Sequence, residues 1–109
     1  MLEVLLGSAS KEKILLFIAS RESGYARQIS GFFNIPLTPV IKQLKKLEEG
    51  GVIYVEIQGR TKLYKFNPRY SFLKELKQLL SKVLEFYPEE TLKELKFNRK
   101  RPRRSKKPL

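Results

Sequence analysis

The sequence predicts an α+β fold in which helices lead into one two-stranded β-hairpin and further helices follow. Three observations predict it. Apolar residues recur at helical spacing in several stretches, β-branched and aromatic residues crowd into two short runs around a turn glycine, and glycine, asparagine and proline fall between these segments. A chain of 109 residues with 41% hydrophobic side chains supports one compact core and appendages rather than two ordinary domains.

Ser10 is placed to cap a first helix whose apolar positions Ile14, Leu15, Phe17 and Ile18 share helical spacing. Glu12 sits in its first turn, where the helix dipole favours an acid, and the helix should end near Ser23-Gly24. A short amphipathic helix, Tyr25 to Phe33, should follow, with Ile29, Phe32 and Phe33 on one side and Arg27, Gln28 and Ser30 mostly on the other. Asn34-Ile35-Pro36 breaks that pattern, because the residue before proline avoids helical geometry while proline itself is tolerated in a first turn. In the next helix, about 37–49, Val40, Leu44 and Leu47 share one face, and Gly50-Gly51 supplies the left-handed residue that stops it.

Val52 to Ile57 and Lys62 to Phe66 read as strands joined through Gln58-Gly59-Arg60-Thr61, a hairpin with a basic tip. After Asn67-Pro68, Ser71 to Phe86 returns to helical periodicity with a broad apolar stripe: Phe72, Leu73, Leu76, Leu79, Leu80, Val83 and Leu84. Pro88 ends it, and Glu89 to Phe97 can form one more short helix. The last segment, RKRPRRSKKPL, has too little apolar surface to fold alone and is expected to be a disordered basic tail.

Charge is segregated along this plan. Residues 1–24 and 70–98 are each neutral, whereas residues 25–69 carry eight basic against three acidic side chains and residues 99–109 carry seven basic and no acidic ones, which accounts for the net +12. Positive charge gathered in two places is the footprint of a polyanionic partner, where a merely solubilising charge would be spread.

The composition also excludes chemistry. The chain has no cysteine, histidine or aspartate. Disulfides, thiolate or imidazole metal ligands and the usual nucleophilic triads are therefore impossible, and no spacing of Glu, Lys, Tyr or Ser marks an acid–base site. The expectation is no enzyme, no cofactor and no metal. The longest apolar run, Ile14 to Ala19, is far short of a membrane span, and the N-terminus lacks the order of a signal peptide, so a cytoplasmic protein without membrane association is expected.

Helix, helix, turn, helix, hairpin is the layout of a winged helix-turn-helix domain: three helices plus a two-stranded β-hairpin wing, here with a C-terminal helical extension. Residues 8–70 resemble the ArsR- and MarR-like regulators of bacteria and archaea. Ile29 and Ile35 flank the turn, the run Val40, Leu44, Lys45, Lys46, Leu47, Glu48, Glu49, Gly50, Gly51, Val52 resembles their recognition-helix exit, and Gly59-Arg60 with Tyr64 resembles their wing. The opening Leu5-Leu6-Gly7-Ser8 is similar to short winged-helix proteins often encoded beside small nucleotidyltransferases. The metal-sensor ligands of the arsenic repressors are missing, so no metal-responsive role carries over.

The expected organisation is a DNA-binding domain over 1–70, C-terminal helices over 71–98 that pair two copies, and the tail over 99–109. Because Val40, Leu44 and Leu47 face the core, Leu37, Thr38, Ile41, Lys42 and Lys45 face the solvent or a groove, which the resemblance makes the major groove of double-stranded DNA. Arg27 and Gln28 touch its backbone, and Arg60, Thr61 and Lys62 of the wing, 58–62, reach phosphates or a narrow minor groove. Ile41 can pack on a thymine methyl, Thr38 can bond a base edge, and Lys42 can reach guanine or phosphate. Phe32, Phe33, Tyr64 and Phe66 fit core positions, and Lys46 a solvated one. The apolar stripe from Phe72 to Leu84 exceeds what the domain needs on one side, which points to a homodimer; in the alternative, 88–97 caps it within a monomer. Two other functions remain open. One is a protein-interaction module docking through Leu37 and Ile41, perhaps to a partner encoded nearby; the other is RNA binding.

Overall fold

A computed structural model describes residues 1–100, with side chains through Lys96. The elements run α1 (Glu3–Leu6), α2 (Ala9–Arg21), β1 (Gly24–Tyr25), α3 (Ala26–Phe33), α4 (Leu37–Glu49), β2 (Ile53–Gln58), β3 (Thr61–Phe66), α5 (Leu73–Leu84) and α6 (Glu89–Lys100). The α+β class and the order helix, helix, turn, helix, hairpin are those expected, and several boundaries move for local reasons.

Ser8, not Ser10, caps α2: its backbone is extended and its Oγ accepts the Lys11 N–H at 3.1 Å. Ser10 already lies inside the first turn, where its hydroxyl cannot play that part. The helix stops at Arg21, and Glu22 takes the left-handed turn (φ 74°) instead of Ser23-Gly24. Gly24-Tyr25 does not open α3 but forms a strand paired with Leu63 and Tyr64, which makes a three-stranded antiparallel sheet in the order β1-β3-β2. A Cβ at Gly24 would stand 3.0 Å from the Phe17 ring and 3.2 Å from Ile29, so only glycine lets this strand lie against the core.

The turn between α3 and α4 is built as its sequence suggests. Asn34 takes the left-handed conformation (φ 56°), the Ile35 N–H donates to the Ser30 carbonyl at 3.0 Å, and the Ser30 hydroxyl donates back to the Ile35 carbonyl. Gly51 (φ 78°) lets the chain leave α4 for β2. Asn67 then ties the base of the hairpin to that exit, its side-chain N–H donating to the Gly51 carbonyl at 2.9 Å.

Helix α2 is the axis of the molecule. Ile14, Leu15, Leu16, Phe17 and Ile18 are all buried, a run with no free face, because α3, α4 and the sheet cover some of its sides and α5 and α6 cover others. Phe17 meets Phe32 edge to face at 5.6 Å, and the Arg21 guanidinium lies over the Phe17 ring at 4.6 Å.

The C-terminal helices join this core. Leu80 and Val83, two members of the stripe expected to pair two copies, are buried inside the chain's own interior, as is Leu95 of α6. Leu73, Leu76, Leu79 and Leu84 are half-buried, and Phe72 is exposed. Helix α6 packs on α2 and runs to Lys100, past the expected end at Phe97 and into the segment read as tail. The remainder of that expected tail, 101–109, lies outside the described residues.

One buried acid holds the opposite end of α2. Glu12 accepts the Leu2 N–H at 2.6 Å, the Met1 amine at 2.9 Å and the Tyr87 hydroxyl at 2.7 Å, which fastens α1 and the α5–α6 junction to α2. Burial pushes its carboxyl up, but the bonds from Leu2, the Met1 amine and Tyr87 outweigh burial and hold it below the ordinary glutamate range. Burial and the same bond push the Tyr87 hydroxyl up.

Candidate nucleic-acid interface

Helix α4 commits Val40, Leu44 and Leu47 to the core and turns Thr38, Ile41, Lys42, Lys45 and Lys46 to solvent, as the helical period requires. Its N-terminus, the start of α3 and strand β3 enclose a groove of about 520 Å³. Arg27, Gln28, Leu37, Ile41, Thr61 and Lys62 line it, so residues from three separate segments of the sequence meet there. Tyr25, Ala26 and Tyr64 complete the lining. The lining is mostly apolar, Arg27 and Lys62 are its basic members, and none of the lining residues is an acid.

Thr38, Lys42 and Lys45 lie outside the groove on the exposed face of α4, and Arg60 stands exposed at the hairpin tip. That tip is a two-residue turn closed by the Gln58–Thr61 pair, with Gly59 at positive φ (63°) and Arg60 not. This turn takes glycine first, and its twist suits the strands on either side. The Thr61 hydroxyl donates to the Gln58 carbonyl at 2.7 Å and stiffens it.

Two side chains are more engaged than the sequence suggests. Gln28 Oε1 accepts the Tyr25 N–H at 3.1 Å and so caps α3, which leaves only its NH2 to reach outward. The Tyr25 hydroxyl donates to Gln58 Oε1 at 3.1 Å, a latch between the start of α3 and the wing. By its sequence Tyr25 is the first residue of a helix, with no role of its own. Two residues are too few for strand alternation to show, so nothing in the sequence marked that latch. Tyr64 and Phe66 are core residues as expected, though Tyr64 also forms part of the groove wall.

No family model matches the chain, and no curated protein matches it. Among solved structures it is similar to a doubly substituted variant of Lactococcus lactis ZitR in apo form, with a TM-score of 0.55 at 21% identity, covering 88% of this chain and 82% of that one. The fold is a winged helix-turn-helix, with α3 and α4 as the helix-turn-helix pair and β2–β3 as the wing. At that identity the likeness speaks for the fold and not for the role of any residue. Among the described residues no helix is long and apolar enough to cross a membrane, and no cluster of acidic residues could hold a metal ion.

Proposed function

We propose that the chain is a sequence-specific double-stranded DNA-binding transcriptional regulator that lays α4 in the major groove and sets the wing on the flanking backbone or minor groove. The observation that carries this is the groove between α4 and β3, which gathers Arg27 and Lys62 in a lining without an acid, beside Lys42, Lys45 and Arg60. Two convex elements, α4 and the wing, flank it, the Tyr25–Gln58 bond ties the start of α3 to the wing, and a duplex presents them a groove and a phosphate ridge. Lys42, Lys45, Arg27, Arg60 and Lys62 neutralise phosphates, and the basic segment 99–109 adds affinity without regard to sequence.

The protein works as a homodimer, held through apolar surface that the core does not use. Phe72 at the N-cap of α5 and Phe86 at the α5–α6 junction are 64% and 66% exposed. A dimer would present two α4 helices to half-sites roughly 34–36 Å apart. Sedimentation of the full chain and of Phe72→Ser at micromolar concentration tests this; a monomeric parent chain defeats it.

The decisive experiment is selection from a randomised duplex pool by the full chain at about 150 mM salt, where non-specific binding is usually only 10⁻⁴–10⁻⁶ M. An enriched sequence preferred over its scrambled version by about 10³ or more, with the preference erased by Thr38→Ala and Lys42→Ala together, is the expected result. Absence of any enrichment assigns the apolar groove to protein docking instead.

A further inference from the structure

Resting on the duplex-binding function proposed above, we infer that the chain reads thymine methyl groups alongside its polar contacts, and that Leu37 and Ile41 are the residues that read them. The outward face of the first two turns of α4 contains no side chain with a planar, two-pronged hydrogen-bonding end. Its polar groups are the Thr38 hydroxyl and the Lys42 ammonium, and Lys45 follows in the third turn. Gln43, the one amide on this helix, has its Oε1 buried with no hydrogen-bond partner among the described residues, so it is turned away from a base edge. Gln28 spends its own oxygen on the Tyr25 N–H. Paired bonds to guanine or adenine, which come from arginine, asparagine or glutamine forks, therefore have no source on α4 other than a lysine, and Arg27 of the neighbouring helix is the one guanidinium in the groove lining.

Apolar surface is present instead. Ile41, a β-branched residue in the middle of a basic surface, is 47% exposed, and Leu37 stands one turn before it on the same groove wall. Four residues of helix advance about 6 Å, close to two base-pair steps of about 3.4 Å, so the two side chains address different base pairs. In the major groove the C5-methyl of thymine is the one apolar feature a base pair offers, and it distinguishes A·T from G·C and from T·A. Arg60 at the wing tip adds the same bias, because narrow A·T tracts concentrate negative potential in the minor groove. The lack of any acid in the groove lining makes a nucleic acid the fitting occupant of this apolar surface.

The test uses the duplex enriched by the full chain, with each thymine replaced in turn by deoxyuridine. That change deletes a methyl group and leaves the pairing edge intact. Uracil at one or two positions per half-site should weaken binding by about fourfold each, the worth of one buried methyl-sized group. Ile41→Ala or Leu37→Ala should then bind the thymine and uracil versions equally at its own position. Both side chains are at least partly on the surface, and the deoxyuridine arm needs no protein variant, so the result does not depend on how a substitution folds. Equal affinity for every uracil duplex, or G·C pairs at the enriched positions under α4, overturns the methyl assignment while leaving sequence-specific binding in place. A pool with no enrichment removes the DNA-binding function itself and this inference with it.

Discussion

Helices α2 and α4 have the same length, 13 residues, and opposite fates. Helix α2 is covered on every side, and five consecutive residues from Ile14 to Ile18 disappear into the core. Helix α4 gives up one stripe, Val40, Leu44 and Leu47, half-buries Leu37 and Gln43, and keeps the rest in solvent. Side chains around α2 are fixed by packing, and a change there should be felt as stability. On α4 the free face is under no such demand. A basic surface interrupted by Ile41 is consequently more informative about a partner than about the fold.

Substitutions that should break this contrast, or sharpen it, fall in a clear order. Phe17→Ala empties the centre of α2 and should cost about 3–5 kcal/mol in denaturant unfolding, enough to leave a chain of this size largely unfolded. Glu12→Ala leaves the Tyr87 hydroxyl and the Leu2 N–H without their buried acceptor and should cost about 1–3 kcal/mol, with Tyr87→Phe costing about 1 kcal/mol. Gly24→Ala presses a methyl group on Phe17 and should cost about 1–3 kcal/mol. At the small end, Ile41→Ala and Lys42→Ala should move stability by no more than about 0.5 kcal/mol while changing DNA affinity. A large loss of stability from either would mean that α4 is held on more than one face.

The Glu12 site also gives the contrast a pH dependence. Its folded carboxyl titrates below its ordinary value, so the stabilisation is fully present above the unfolded glutamate pKa and is lost as pH falls through the folded one. Unfolding of the parent chain from neutral to acidic pH should show this loss. Glu12→Gln should flatten that part of the profile, and an unchanged profile would show that other carboxylates govern acid stability.

Legibility followed the length of each element and the number of neighbours it needs. The turn Asn34-Ile35-Pro36, the hairpin around Gly59-Arg60 and the outward residues of α4 were legible because local backbone preference and periodicity decide them. Strand β1 was not, since two residues contain no period and Gly24-Tyr25 becomes a strand only by pairing with β3. The cap of α2 fell to Ser8 rather than Ser10, two serines of equal propensity separated only by the backbone around them. A one-sided helical stripe through Ile14, Leu15, Phe17 and Ile18 does not include Leu16, which is buried because α5 and α6 arrive from far along the chain to cover the other side.

By itself the sequence determined the α+β class, the absence of cysteine, histidine and aspartate chemistry, the concentration of positive charge and the identity of the exposed side chains on α4. These follow from composition and from interactions between near neighbours. Tertiary structure alone decided that Arg27, Leu37, Ile41 and Lys62 share one groove, that Tyr25 latches the wing, and that Leu80 and Val83 serve the chain's own core. Each of those depends on contacts between distant segments. A helical period states which side of a helix is apolar, but not which surface will cover it.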